Sequence, residues 1–202
     1  MNIGVLGGTF DPIHVGHLIV AEATRIQLDL AEVVFMPAGQ PWLKANNYIS
    51  PAGHRVQMVR LAIANKPYFK LSTMEIERAG PSYTVDTITE LKGQVGAGDK
   101  LFFILGWDNL VQLPKWHAPS RLVKVCHLVA VPRVGYPAPD LNSLEAAIPG
   151  LSQSTILLET PRIDISASEI RDWVAQGLSI RNLVPEPVEK YITQHSLYIA
   201  QG

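Results

Sequence analysis

Residues 2–17 read NIGVLGGTFDPIHVGH, and the reading of this stretch decides the fold. A short apolar run, NIGVL, stops at Gly7-Gly8 and reads as a buried parallel strand. A threonine, an Asp-Pro step and the histidines His14 and His17 follow. From Gly16 the period changes: Leu18, Ala21, Ile26 and Leu28 fall near helical spacing, with Glu22 and Arg25 predicted outward. A strand that turns through glycines into a helix aims free N–H groups at one spot. Glycine also lets the backbone approach a phosphate with no side chain in the way. Position and residue type thus predict a phosphate-binding loop at the carboxyl end of the first strand, where open α/β sheets hold their ligands.

The same alternation continues outward. EVVFMPAG (32–39) reads as a second strand, and Ser50-Pro51 as an N-cap with proline at the first helical position, opening a helix through HRVQMVRLAIANK (54–66). YFKLSTMEI (68–76) reads as a third strand, and GPSYTVDTITELKG (80–93) as a loop and a helix capped by Thr84 or a neighbour. KLFFILG (100–106) is another buried strand, followed by WDNLVQLPKW (107–116), a short helical turn broken at Pro114. CHLVAVPR (126–133) and TILLE (155–159) are two more strands. ISASEIRDWVAQG (165–177) is a helix stopped at Gly177, and LVPEPVEKYITQHSLY (183–198) gives a proline-started final helix. Strands alternating with helices predict a parallel α/β sheet. No internal repeat or low-complexity segment interrupts the pattern. PRVGYPAPD (132–140) reads as a loop rather than a linker, so residues 1–202 are expected to form one domain.

Composition narrows the classes. With 47% hydrophobic and 17% charged residues the chain can bury a proper core, and its net charge of -1 argues against a broad nucleic-acid footprint while leaving room for a local cationic pocket. Cys126, in the apolar run RLVKVCHLVAV, is the only cysteine, so no intrachain disulfide can form. A buried, inert thiol and a reducing compartment are expected. No run approaches the roughly 20 apolar residues of a membrane span. The stretch Ile3 to Leu6 has no basic leader, so it is not read as a signal peptide, and a cytoplasmic location is expected.

Other phosphate and metal chemistries fit less well. The string GxxxxGK[ST] of a P-loop does not occur. Gly4, Gly7 and Gly8 have the wrong spacing for a dinucleotide GxGxxG loop, and the second strand ends in MPAG without an acid. A zinc site would need partners for His14 and His17, but the nearby acid, Asp11, precedes a proline and the cysteine is distant. Packing alone would suit a lone histidine. Two, between Gly7-Gly8 and Gly16, point to imidazoles that donate to phosphate oxygens and can be cationic beside an anion.

The stretch GGTFDPIHVGH (7–17) resembles the extended T/HxGH signature of nucleotidyltransferases that join a phosphomonoester to ATP. Its Gly-Gly-Thr-Phe-Asp-Pro form is similar to that of the bacterial nicotinate-nucleotide adenylyltransferase family. ISASEIR (165–171) resembles that family's ISxxxIR motif, GPSYTVDT its loop before a helix, and FFILGWDNLVQLPKWH its GxD…LPxW segment. The resemblance runs from Asn2 to Tyr198. It implies a Rossmann-like, doubly wound parallel sheet of the nucleotidylyl transferase type, with a small C-terminal helical part.

The resemblance also implies site residues. Gly7, Gly8, Thr9, Phe10 and Gly16 would form the nucleotide loop, with His14 and His17 on the triphosphate. Ile165, Ser166 and Ser168 would hold the β/γ end at a helix start that Ser-Ala-Ser-Glu also caps well, and Arg171 would add a forked positive charge. Gly106 and Asp108 would lie by the ribose and phosphate. The backbone of Thr84 would meet the pyridine carboxylate, and Trp116 would stack on the pyridine ring. PWLK (41–44) takes the place of a loop that usually reads Pro-Pro-His-Lys. Lys44 is kept, whereas Leu43 replaces the histidine and Trp42 precedes it.

The implied reaction is transfer of the adenylyl group of ATP to nicotinate mononucleotide, with Mg²⁺ bridging phosphate oxygens and Asp11 as a candidate outer ligand. Nicotinamide mononucleotide or phosphopantetheine as acceptor, or nucleotide sensing without turnover, stay open. The partners expected are ATP and the mononucleotide, not nucleic acid or membrane, with a homodimer as candidate assembly.

Overall fold

The computed structural model describes residues 1–41 and 48–199. Its centre is one sheet of six parallel strands: β1 (Asn2–Gly8), β2 (Glu32–Pro37), β3 (Phe69–Leu71), β4 (Lys100–Gly106), β5 (His127–Val131) and β6 (Thr155–Leu157). Their order is β3-β2-β1-β4-β5-β6, so the chain winds outward from β1 to one edge and then returns to its other side. Val5 of β1 lies between Val34 of β2 and Phe103 of β4. That reversal puts a crevice beyond the carboxyl ends of β1 and β4.

Alternating side chains of each strand feed two cores. On one face Leu6, Phe35, Ile104 and Val129 pack under α1 (Val15–Gln27), α2 (Ala52–Ile63), α9 (Ala167–Ala175) and α10 (Glu186–Gln194). On the other, Val5, Val34, Phe103 and Leu128 pack under α4 (Thr84–Gln94), α5 (Trp107–Gln112) and α6 (Pro119–Val125), with α7 (Leu141–Ala147) and α8 (Leu151–Ser154). Helices on both faces explain why the strands read as continuous apolar runs rather than alternating ones. Cys126 is buried in the second core, and burial pushes its thiol up to about 12, which leaves it inert.

Several local expectations are corrected. In α1 the buried stripe is Gly16, Val20, Ala21 and Thr24, whereas Ile26 is 64% exposed, because it sits two residues and about 200° beyond Thr24. YFKLSTMEI is not one strand. β3 ends at Leu71, and the Thr73 carbonyl accepts from Ile76 and Glu77, turning Met74–Glu77 into the short helix α3. Pro51, not Ser50, is the N-cap of α2, whereas the cap of α4 falls on Tyr83, the neighbour of Thr84, within the expectation. Pro114 lies inside a single 3₁₀ turn, Leu113–Lys115, after α5 has ended. The glycine stop holds: Gly177 has φ 70° and closes α9 with its N–H on Val174 and that of Leu178 on Trp173. No described helix is long and apolar enough to cross a membrane.

Candidate active site

A cavity of about 460 Å³ opens beyond the carboxyl ends of β1, β4 and β5. Residues from both ends of the chain line it, Gly7–Asp11, His14 and His17 facing Ile163, Ile165, Ser166, Ser168 and Arg171. Gly16 makes this approach feasible, since a β-carbon there would come within 2.5 Å of the Ile163 Cγ2 methyl.

The loop after β1 is held under tension by its own side chains. Phe10 takes a left-handed backbone (φ 51°) and buries its ring edge-on to His17, with centroids 5.0 Å apart. Such a conformation costs a non-glycine residue about 1–3 kcal/mol and persists only where neighbours over-determine it. The expected contribution of Phe10 to a ligand is therefore confined to its backbone. His14 is the N-cap of α1 and stacks on His17 with centroids 3.6 Å apart. The His14 N–H donates to His17 Nδ1 at 3.2 Å, which places the proton of the neutral His17 ring on Nε2 as a donor. Burial, with the Arg133 charge second, lowers the His14 imidazole to about 4, and its Nδ1 has no hydrogen-bond partner among the described residues. Without an anion beside it, burial thus favours the neutral form of His14.

Positive charge comes instead from arginines. Arg171 Nη1 donates to the Asp11 carbonyl at 2.7 Å and Nη2 to Ser168 Oγ at 3.2 Å, joining the two motifs. Ser166 is committed to its helix: its hydroxyl accepts the Glu169 N–H at 3.2 Å and donates to the Glu169 carboxylate at 2.6 Å. Ser166 is thus a side-chain N-cap of α9, and the phosphate grip expected of it competes with that role. Asp11 is equally committed, accepting from Ser50 N–H at 2.9 Å and Tyr198 hydroxyl at 2.6 Å. Those bonds make it a scaffold carboxylate at the cavity wall.

At the other end, α4 starts at Thr84 with no side-chain cap; the Asp86 N–H bonds the Tyr83 carbonyl, so the N–H groups of Thr84 and Val85 are the ones placed for a ligand. Trp116 packs edge-on against Phe103 (6.2 Å), faces the cavity, and its buried Nε1–H has no partner among the described residues. Tyr83 stacks on His117 at 4.2 Å beside it. The Ser82 hydroxyl accepts the N–H groups of Gly39 and Gln40 (3.0 and 3.1 Å), so the GPSYT loop also holds the segment that leaves β2. Gly106 is the N-cap of α5, where a β-carbon would meet Asp108 Oδ1 at 2.3 Å. Asp108 Oδ2 lies 3.4 Å from Arg133 Nη1, while Oδ1 is buried without a partner among the described residues.

All the residues expected at the site and described in the structure, Gly7, Gly8, Thr9, Phe10, His14, Gly16, His17, Thr84, Gly106, Trp116, Ile165, Ser166, Ser168 and Arg171, line this cavity, apart from Asp108, which reaches it through Arg133. Lys44, with Trp42 and Leu43, lies outside the described residues. Sequence reasoning passed over Arg133, Arg55 and Tyr198. Arg133 had a readable signal, a cation just past the carboxyl end of β5 in CHLVAVPR. The Thr9 and Ala38 carbonyls that Arg55 holds and the Asp11 carboxylate that Tyr198 holds are distant in sequence, and no local pattern announces them.

Comparison with known proteins agrees with this arrangement. A family model described as Cytidylyltransferase-like matches residues 5–172. A Dehalococcoides mccartyi protein named as a probable nicotinate-nucleotide adenylyltransferase is 50% identical over 201 residues, covering 100% of this chain and 98% of its own length. A Roseiflexus protein of the same name is 45% identical, covering 97% of each chain. Among solved structures, Plasmodium falciparum nicotinic acid mononucleotide adenylyltransferase complexed with NaAD superposes with a TM-score of 0.80 at 20% identity, covering 98% of this chain and 97% of that one. The same enzyme complexed with APC gives 0.77 at 21% identity, with 98% and 96% covered. The structural likenesses carry the doubly wound fold, and the sequence relatives carry the family. The chain belongs to the nicotinate-nucleotide adenylyltransferase family.

Proposed function

We propose that this chain transfers the adenylyl group of ATP to nicotinate mononucleotide, forming nicotinate adenine dinucleotide and pyrophosphate. The observation that carries the reading is one cavity with two differently built ends. One end offers glycine backbone, two imidazoles and Arg171, which suit a polyphosphate. The other offers an indole face and an uncapped helix start, which suit a flat ring bearing a carboxylate. Residues 1–202 are read as a single nucleotidyltransferase domain, supported by the one sheet and its two cores.

In the proposed reaction a phosphate oxygen of the mononucleotide attacks the α-phosphorus of ATP in line. That oxygen is already anionic near neutral pH, so the protein need supply no general base or covalent nucleophile. Its work is alignment and stabilisation of charge that moves to the leaving pyrophosphate. His17 donates from Nε2, and His14 supports it from below by the bond to its Nδ1. Arg171 offsets charge on the triphosphate, together with Arg133, the cation the local motifs leave out. Lys44 is retained as a candidate phosphate contact. Ser168 and the backbone at Ile165 hold the β/γ end, while Gly106 and Asp108 face the ribose and phosphate of the nucleotide. Asp108 would act through Arg133, which its Oδ2 holds at the cavity wall. Thr84 presents backbone N–H to the ring carboxylate, and Trp116 stacks on the ring.

Magnesium would enter with ATP, neutralising phosphate oxygens. Mg²⁺ keeps several waters and needs few protein ligands, so the phosphates themselves would supply much of its shell. The test is a two-substrate assay of pyrophosphate release with ATP and either nicotinate or nicotinamide mononucleotide. Release with the nicotinate form well above that with the amide is expected. No release with either acceptor overturns the reading.

A further inference from the structure

Arg55 stands out beneath the cavity. It lies on α2 and is 2% exposed, the largest fully buried side chain among the described residues. Its Nε donates to the Ser50 carbonyl at 2.9 Å, and its Nη1 to the carbonyls of Thr9 at 2.9 Å and Ala38 at 2.7 Å. These acceptors belong to three different segments at the rim: the loop after β1, the segment leaving β2 and the approach to α2. A buried cation is costly unless its donors are satisfied, and a rigid fork can serve diverging acceptors as a lysine ammonium cannot.

Asp11 closes a circuit with it. The Asp11 carboxylate is 3% exposed and is the negative charge that opposes the burial of Arg55. It accepts the N–H of Ser50, whose carbonyl Arg55 holds, and the hydroxyl of Tyr198. Thr9 and Asp11 are therefore pinned from the same side, and between them sits Phe10 with its left-handed backbone. The bonds fall on the two neighbours of the strained residue. That is the support a turn of this kind needs if it is to persist without ligand.

We propose that Arg55 and Asp11 are a pair of positioning residues for adenylyl transfer, holding the backbone turn at Phe10 so that the phosphate loop is preformed, with the Tyr198 hydroxyl completing the pair. The inference rests on the reading of the site as an ATP-dependent adenylyltransferase. The hydrogen bonds of Arg55 and Tyr198 go to Thr9, Ala38, Ser50, Asp11 and Met58, and not to Thr84 or Trp116 at the ring end.

The variants Arg55→Lys and Tyr198→Phe test it, each compared with the wild-type chain for melting temperature, Mg²⁺-ATP binding by titration calorimetry, and kcat and KM for each substrate. In folded Arg55→Lys, kcat should fall about tenfold and ATP binding weaken several-fold, with the mononucleotide KM moving less than about twofold. In Tyr198→Phe the same pattern should appear at roughly threefold. A purely structural Arg55 would lower the melting temperature and leave kcat and ATP affinity of the folded protein unchanged, and that result overturns the proposal. If Arg55→Lys does not fold, Tyr198→Phe decides: unchanged kcat and ATP affinity reject the proposal, the shifted pattern sustains it. If the wild-type chain shows no turnover with either mononucleotide, the functional reading fails, while the ATP titrations of the variants still decide whether the loop is positioned this way.

Discussion

Arg171 reaches back across 160 positions of sequence to donate to the backbone carbonyl of Asp11 at 2.7 Å. The two motifs of the chain are thus one structural unit. The arginine that would face the triphosphate also holds the loop that would cradle it. A change at Arg171 acts on both.

Substituting Arg171 separates these roles. Arg171→Ala removes the charge and the bond to Asp11 together, and kcat/KM should fall by about 100-fold or more, in the range set by loss of one transition-state donor. Arg171→Lys keeps the charge but not the fork that serves Asp11 and Ser168 at once, and a loss of roughly tenfold is expected. Pyrophosphate release under steady-state conditions measures both. Equal activity of the lysine variant and the wild type would show that the charge alone matters.

His17→Ala should lower turnover by about 100-fold or more, equivalent to roughly 2.7 to 4 kcal/mol of transition-state stabilisation. The fold should survive, since the ring is only half-buried and its contacts include the neighbouring Phe10 and His14 rings and the His14 N–H. Circular dichroism checks the fold and the same assay the rate. A variant with unchanged turnover would take His17 out of the mechanism.

Trp116→Ala should weaken mononucleotide binding while leaving ATP binding largely intact, because the indole lies at the ring end of the cavity and packs on Phe103. Loss of a base-stacking aromatic is worth about 1–3 kcal/mol, or roughly 5- to 150-fold in Kd. Titration calorimetry with each ligand separates the outcomes, and equal losses for both would reduce Trp116 to a packing residue.

Stability should decline on acidification through His14. Its folded value is lowered to about 4 from 6.5, so below 6.5 the unfolded chain takes up a proton that the folded one refuses. This contribution is complete above about pH 6.5 and is lost as pH falls toward 4, where at 1.36 kcal/mol per decade it amounts to roughly 3 kcal/mol. Melting temperatures of the wild type and His14→Asn from about pH 7.5 to about pH 4.5 check it, with a flatter curve expected for the variant. Parallel curves would place the acid sensitivity elsewhere.

What could be read from the sequence follows the range of each interaction. β1, its glycine stop and the histidine-bearing start of α1 were legible because strand period, turn chemistry and helix period all occur within 30 residues. The parallel sheet was legible because two-sided burial leaves unbroken apolar runs. The helices α6, α7 and α8 were not: at seven, seven and four residues they are too short for a periodic stripe to declare itself. Ser72-Thr73 turned an apparent strand into α3 through backbone bonds that composition does not reveal. At the site, motif residues were legible as a set, but their protonation was not. The neutral state of His14 depends on burial and on Arg133, which approaches from β5. Arg55 looked like an ordinary helix arginine because its carbonyl partners are created by the fold itself.

The bonds that converge on Asp11 carry a consequence for synthesis of the protein. They come from Ser50, Arg171 and Tyr198, so the N-terminal motif is complete in sequence long before it is complete in space. A polypeptide emerging from the ribosome carries both histidines almost from the start, yet its nucleotide cradle cannot close until the last helices have left the exit tunnel. Catalytic competence should therefore arrive late and all at once, leaving truncated translation products silent rather than partly active.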